Sequence, residues 1–376
     1  MKKILIIFGT RPEAIKIAPV IKEFKKNIKA FSFKICVTGQ HGKMLKQVLD
    51  FFQIKPDFNL NIMKKNQSLE RLTSKILLKV SEILDEYKPN LVVVHGDTTT
   101  TFASSLAAFY KKIDICHVEA GLRTKNIYSP WPEEINRKLT SHLAKIHFAP
   151  TQNSKKNLIL ENINSNFIKV TGNTVIDSLL IVKKKIFSSY LIKKKLDKKY
   201  SFLDFSKKKI ILVTGHRREN FGKELENVLK ALKYIALKNK NISIIYPVHL
   251  NPKILIPAKN FLSGISNIFL VEPINYQEFI YLMIKAYIIV SDSGGIQEEA
   301  SSLGRPVLVT RNNTERPEGL KTGTVKLIGT NKENIIKNIE NLLSNKKDYQ
   351  KMSKAQNPYG NGNASKKIIN YLKSIK

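Results

Sequence analysis

Short unbroken apolar runs alternate along the chain with stretches whose apolar residues recur every three or four positions. Runs at 4–8, 33–37, 91–94, 115–118 and 146–149 have the length and continuity of buried parallel strands, and helix-period segments separate them. A second series follows a lysine-rich stretch at 183–209, with strands predicted at 210–214, 243–247, 268–271, 288–291 and 306–309. Such alternation predicts the α/β class, as two Rossmann-like doubly wound units. The length, 376 residues, exceeds what one core usually serves. The expected domains are 1–170 and 171–363, with a short helix at 364–376, beyond a Pro-Gly-Asn turn, packing back on the first. Ligands of open parallel sheets bind outside the carboxyl ends of the strands, so two such domains in tandem are expected to face a common cleft.

Composition narrows the picture. The formal net charge is +34, yet only nine of the 64 basic residues are arginine. Nucleic-acid readers favour the arginine fork, and no zinc knuckle or aromatic-glycine RNA signature is present, so a solvated lysine surface is expected and no nucleic-acid partner. The five-residue apolar run near the start is too short for a signal-peptide core, and Lys285 interrupts the best membrane candidate, 279–290. A cytoplasmic protein without membrane attachment is expected. Cys36 and Cys116 have neither metal-ligand spacing nor a disulfide framework and are read as buried thiols.

Scarce arginine draws attention to where it falls, which is mostly in Gly, Pro or acidic clusters following predicted strands. Gly9, Thr10, Arg11, Pro12 and Glu13 lead into a helix whose amino terminus, with Arg11 and Lys16, makes an anion site. Asp97 follows the strand at 91–94 and precedes threonines; it is either a functional acid or a helix cap. Glu119 closes the strand at 115–118, as an acid-base group or as an ion-pair partner of Arg123. Glu133 and Glu134 open a helix after Ser129, Pro130, Trp131 and Pro132, a placement that the helix dipole also favours. Carboxylates converging from successive elements are what proton transfer at a sugar carbon demands. In the second half His216 lies in a glycine loop beside Arg217 and Arg218, and His249 closes the next strand. Ser293, Gly294 and Gly295 form a small-residue turn before a helix, presenting backbone N–H groups to a diphosphate, with Glu299 one turn on to accept from a ribose diol and Arg316 nearby in sequence. Neither a Walker A loop nor a GxGxxG fingerprint is present.

Taken in order, these motifs resemble those of the non-hydrolysing bacterial UDP-N-acetylglucosamine 2-epimerases over nearly the whole chain. The resemblance implies the glycosyltransferase-B arrangement, a homodimer, and neither metal nor nicotinamide cofactor. It implies that Asp97, Glu119 and Glu133 are catalytic carboxylates and that His216 acts near the phosphates. Arg11, Lys16, Asp97, Glu119 and His216 would contact substrate, while Phe279, Ser293, Gly294, Gly295, Glu299 and Arg316 would hold UDP. Gln40, His41, Arg217 and His249 would border a regulatory nucleotide. Ile274 stands where enteric relatives often carry Gln near the uracil. The expected activity interconverts UDP-N-acetylglucosamine and UDP-N-acetylmannosamine for surface polysaccharide synthesis. A glycosyltransferase of the same architecture is the runner-up; it needs mainly one base, whereas this chain offers three carboxylate sites.

Overall fold

The computed structural model describes residues 1–39, 42–63, 67–215, 217 and 221–375. Two compact units emerge, Met1–Ser178 with Tyr359–Lys376, and Leu179–Pro358. In the first unit strands β1 (Lys2–Phe8), β2 (Phe31–Val37), β3 (Phe58–Asn59), β4 (Leu91–His95), β5 (Asp114–Val118), β6 (Ile146–Ala149) and β7 (Ile168–Val170) form one sheet in the order β3-β2-β1-β4-β5-β6-β7. Every pairing is parallel. Helices cover both faces, which is why Ile4, Leu5, Ile6, Ile7 and Phe8 are all fully buried instead of alternating in and out.

The second unit repeats the plan with β8 (Lys209–Thr214), β9 (Ile242–Pro247), β10 (Ile268–Val271), β11 (Ile288–Ser291), β12 (Val307–Val309) and β13 (Val325–Leu327), ordered β10-β9-β8-β11-β12-β13 and again all parallel. Strand order reverses direction between β1 and β4 in one sheet and between β8 and β11 in the other. These are the switch points at which doubly wound sheets bind ligands.

The chain leaves the first unit later than the pattern predicts, at residue 178 rather than 170, and returns at 359. Polar bonds at the return explain both limits. Asn173 N–H donates to the Tyr359 carbonyl at 2.8 Å, and the Asp177 carboxylate accepts from the amides of Ala364 and Ser365 at 3.2 and 2.9 Å, capping the final helix Ala364–Ser374. That helix packs on the first helix of the chain, Arg11–Lys25. The lysine-rich stretch is not open connector but largely helix, Thr174–Ser188 followed by Tyr190–Lys199. Cys36 and Cys116 are buried free thiols, and burial pushes Cys36 up to about 12. Among the described residues no helix is long and apolar enough to cross a membrane.

Candidate active site

Thr10 and Glu13 form a capping box at the start of the helix Arg11–Lys25, placing Arg11 at its first turn. Glu13 does more than cap. Its carboxylate accepts from the amides of Gly9 and Thr10 at 3.0 and 2.7 Å and from the hydroxyls of Thr98 and Thr101 at 2.7 and 3.1 Å. One buried side chain therefore ties the loop after β1 to the loop after β4, which carries Asp97. Burial raises the Glu13 carboxyl above its ordinary range, and the hydrogen bonds from Thr98, Thr10 and Gly9 pull it back towards the anion. The Thr-x-x-Glu spacing could have revealed the cap, but not the reach to Thr98.

Glu119 follows β5 in the left-handed region, with φ 64°. Its Oε1 accepts from Lys16 Nζ at 2.5 Å and from Asn173 Nδ2 at 2.7 Å, and all three side chains are buried. The alternative of a Glu119 pair with Arg123 is thereby set aside, because Arg123 pairs with Glu161, Nε to Oε1 at 2.9 Å and Nη2 to Oε2 at 2.6 Å. Lys16, from the helix that follows β1, and Glu119, from the loop after β5, are thus brought together across the end of β4, an ammonium beside a carboxylate.

Asp97 is not merely a cap: Thr98 fills the cap position of the helix Thr99–Tyr110, its hydroxyl accepting from the Thr101 amide. The Asp97 carboxylate instead receives Arg137 Nη2 at 2.5 Å, and its carbonyl receives Asn136 Nδ2 at 3.0 Å. Both donors come from the helix Glu133–Leu143, whose first residue is the third carboxylate. The fully buried Glu134 accepts from the Thr124 amide at 3.1 Å and from Arg137 Nη1 at 3.1 Å. Of the adjacent pair, Glu134 is the structural acid and Glu133 the half-buried one at the helix start.

Among the described residues of this unit, three histidines lie buried. Desolvation pulls His95 down to about 4, His117 to about 3 and His147 to about 4, so each is neutral in the fold. Unfolded, each takes a proton near pH 6.5. Their contribution is complete above that value and is lost as pH falls towards 4, at about 1 kcal/mol per histidine per pH unit. The raised carboxyls of Glu13 and Asp177 pull the other way. The first unit is expected to melt markedly earlier at pH 5 than at pH 7 in calorimetry, and a His117→Gln variant should reduce that difference.

In the second unit β11 ends at Ser291, and the helix Gly294–Ser302 starts three residues on with Ser293 in the cap position. Arg316 lies across this start. Its Nε donates to Glu298 Oε1 at 2.6 Å and its Nη1 to Glu315 Oε1 at 2.5 Å. Gly294 is required there, because a Cβ would sit 2.2 Å from Arg316 Nη1 and 2.8 Å from Glu315 Oε1. Gly294→Ala is expected to displace the buried guanidinium, lowering stability by about 2 kcal/mol; thermal melts measure the loss. Glu299 is buried and its Oε1 accepts from Tyr276 Oη at 2.6 Å. Phe279, on the helix Tyr276–Lys285, is half-buried, as is Ile274. Arg217 donates its amide to Asp292 Oδ2 at 2.9 Å and places Nη2 3.7 Å from Glu315 Oε1, joining the glycine loop after β8 to the Arg316 network. His249 is exposed. Gln40, His41 and His216 lie outside the described residues.

Two Rossmann-like units, each with charged side chains gathered behind the strands of its switch point, define an enzyme of the glycosyltransferase-B fold class. Residues 22–373 match the model of UDP-N-acetylglucosamine 2-epimerase. The UDP-N-acetylglucosamine 2-epimerase of Campylobacter jejuni is 55% identical over 376 residues, covering 99% of this chain and 97% of that protein. The Neisseria meningitidis UDP-GlcNAc 2-epimerase, crystallised with UDP-GlcNAc bound, has a TM-score of 0.95 to this structure at 52% identity, covering 98% of this chain and 99% of that one. The Methanocaldococcus jannaschii enzyme, in complex with UDP-GlcNAc and UDP, has a TM-score of 0.84 at 36% identity, covering 98% and 99%. The chain belongs to the UDP-N-acetylglucosamine 2-epimerase family and is an isomerase.

Proposed function

We propose that the chain interconverts UDP-N-acetylglucosamine and UDP-N-acetylmannosamine by eliminating UDP to 2-acetamidoglucal and adding it back. The observation that carries this reading is the Lys16–Glu119 pair, with Asp97 and Glu133 linked through Arg137 and its helix, all in one unit. The proton on carbon 2 of a glycoside has no neighbouring carbonyl, so its direct removal is unfavourable. Departure of UDP builds positive charge at carbon 1 and acidifies carbon 2 for a carboxylate. Cationic groups must then stabilise the leaving diphosphate, the role assigned to Arg11, Lys16, His216 and the Ser293, Gly294 and Gly295 turn. Phe279, Glu299 and Arg316 complete UDP binding. Return of the proton to the opposite face needs a second acid, hence the set Asp97, Glu119 and Glu133. No metal or nicotinamide enters this scheme. The enzyme acts as a cytoplasmic homodimer and supplies mannosamine sugars for surface polysaccharide.

Incubation of purified protein with UDP-N-acetylglucosamine in deuterated water, without acceptor, tests the reading by NMR. UDP-N-acetylmannosamine carrying deuterium at carbon 2 is the expected product. Free N-acetylmannosamine with UDP, or product without deuterium, overturns it. Gln40, His41, Arg217 and His249 are assigned to an activating nucleotide site. Reverse turnover from UDP-N-acetylmannosamine should therefore show a lag that added UDP-N-acetylglucosamine removes; full activity with no lag excludes the site.

A further inference from the structure

His95 is the last residue of β4, directly before the Gly96 and Asp97 turn, and is 1% exposed. Neither of its ring nitrogens has a hydrogen-bond partner among the described residues. A buried imidazole left in that state costs free energy, so such a side chain in a native fold calls for a reason. Its Nε2 lies 4.0 Å from Glu119 Oε2. The other carboxylate oxygen, Oε1, is held by Lys16 and Asn173. Gly96, between His95 and Glu119 in the chain, has φ 72°, and a Cβ built on it would be in ordinary van der Waals contact with Glu119 Oε2 at 3.5 Å.

We propose that His95 is a positioning residue for Glu119: its neutral imidazole donates Nε2–H to Oε2 when the carboxylate is charged, and so governs how readily Glu119 exchanges the carbon 2 proton. This rests on the acid-base reading of Glu119 given above. Of the two neutral tautomers, the one with hydrogen on Nε2 aims a donor at an anion, the stronger arrangement, and closing from 4.0 Å to about 3 Å completes the bond. The charged groups facing the ring are Glu119, Lys16 and Asp97, and His117 neighbours it from β5. Burial keeps the ring neutral down to about pH 4, so it is a dipolar donor throughout the working range and not a second cation beside Lys16.

Two measurements on the full-length enzyme test this. In ¹⁵N-histidine NMR at neutral pH the His95 signal should show hydrogen on Nε2 and should move in Glu119→Gln; a bare Nε2 with hydrogen on Nδ1 overturns the proposal. In kcat against pH, His95→Phe should shift the limb assigned to Glu119 upwards by roughly one pH unit and lower kcat about tenfold with KM unchanged, while His95→Gln, which keeps an N–H donor, should stay within a few-fold of the parent. A His95→Phe profile that superimposes on the parent while Glu119→Gln is inactive overturns the role of His95. An active Glu119→Gln instead overturns the acid-base reading on which the role rests. Should His95→Phe fail to fold, the NMR of the unmodified enzyme still decides.

Discussion

Asp97→Asn, Glu119→Gln and Glu133→Gln are each expected to lower kcat by ~10² to 10⁴ while UDP affinity stays within a few-fold, because losing a positioned acid or base costs that much and the nucleotide is assigned to other groups. The structure adds a way to separate chemistry from folding. Glu119 sits in a buried pair with Lys16, so its amide variant also leaves an ammonium buried beside a neutral group, and the cost is about 3 kcal/mol or more. Asp97 is partly exposed, with its side chain at 25%, and should lose turnover with little loss of stability. Glu134→Gln is the control. Its carboxylate holds residues 124–125 and Arg137 from a fully buried position, so it should lower the melting temperature first. NMR turnover assays, calorimetry with UDP and thermal melts give the three readouts. Turnover within a few-fold of the parent in all three catalytic variants would exclude the mechanism even if the family assignment stands.

Gly121→Ala is expected to be among the most damaging small substitutions in the chain. Gly121 has φ 90°, and a Cβ built on it would lie 2.2 Å from the Ser154 carbonyl oxygen and 2.8 Å from its carbon, both backbone atoms of the helix Gln152–Leu160. Neither can swing aside as a side chain would. Backbone strain and overpacking each cost ~1 to 3 kcal/mol, so roughly 4 kcal/mol of the first unit's stability should disappear. Gly264→Ala isolates the strain alone: φ is 79° but nothing lies within 4 Å, and about 1 kcal/mol is expected. Urea unfolding of the two variants measures the difference. Equal midpoints would mean that the turn after Glu119 can move off its helix, and with it Glu119.

The long apolar runs were legible because strands buried on both faces carry nearly continuous Ile, Val and Leu, as at 4–8 and 91–94. The strands Phe58–Asn59, Ile168–Val170 and Val325–Leu327 were not. Each has only two or three residues, and each takes its strand character from a neighbour already in place. Glycine and acidic clusters gave the loops after the strands of the switch points, because function crowds unusual residues there. Partner choice was hidden, since no spacing reveals that Arg123 selects Glu161, 38 residues away, over Glu119. Asn173, reaching Glu119 from 54 residues on, stands in no charged cluster and carried no signal of its own. Glu13 was seen as part of a helix start, and its bonds to Thr98 and Thr101 exist only once β1 and β4 lie side by side.

The cap that Asp177 places on the helix Ala364–Ser374 has a consequence for biosynthesis. As the chain leaves the ribosome, all of residues 179–358 emerge while the first unit still lacks its closing helix. The second unit can reach its native state as an uninterrupted segment, whereas the one bearing the proposed catalytic carboxylates must wait, with the face of the helix Arg11–Lys25 that later receives residues 364–374 open to solvent. Nascent chains arrested before residue 359 should therefore contain a protease-resistant second unit beside a first unit that is still cleaved, and the unit with the proposed carboxylates is completed last.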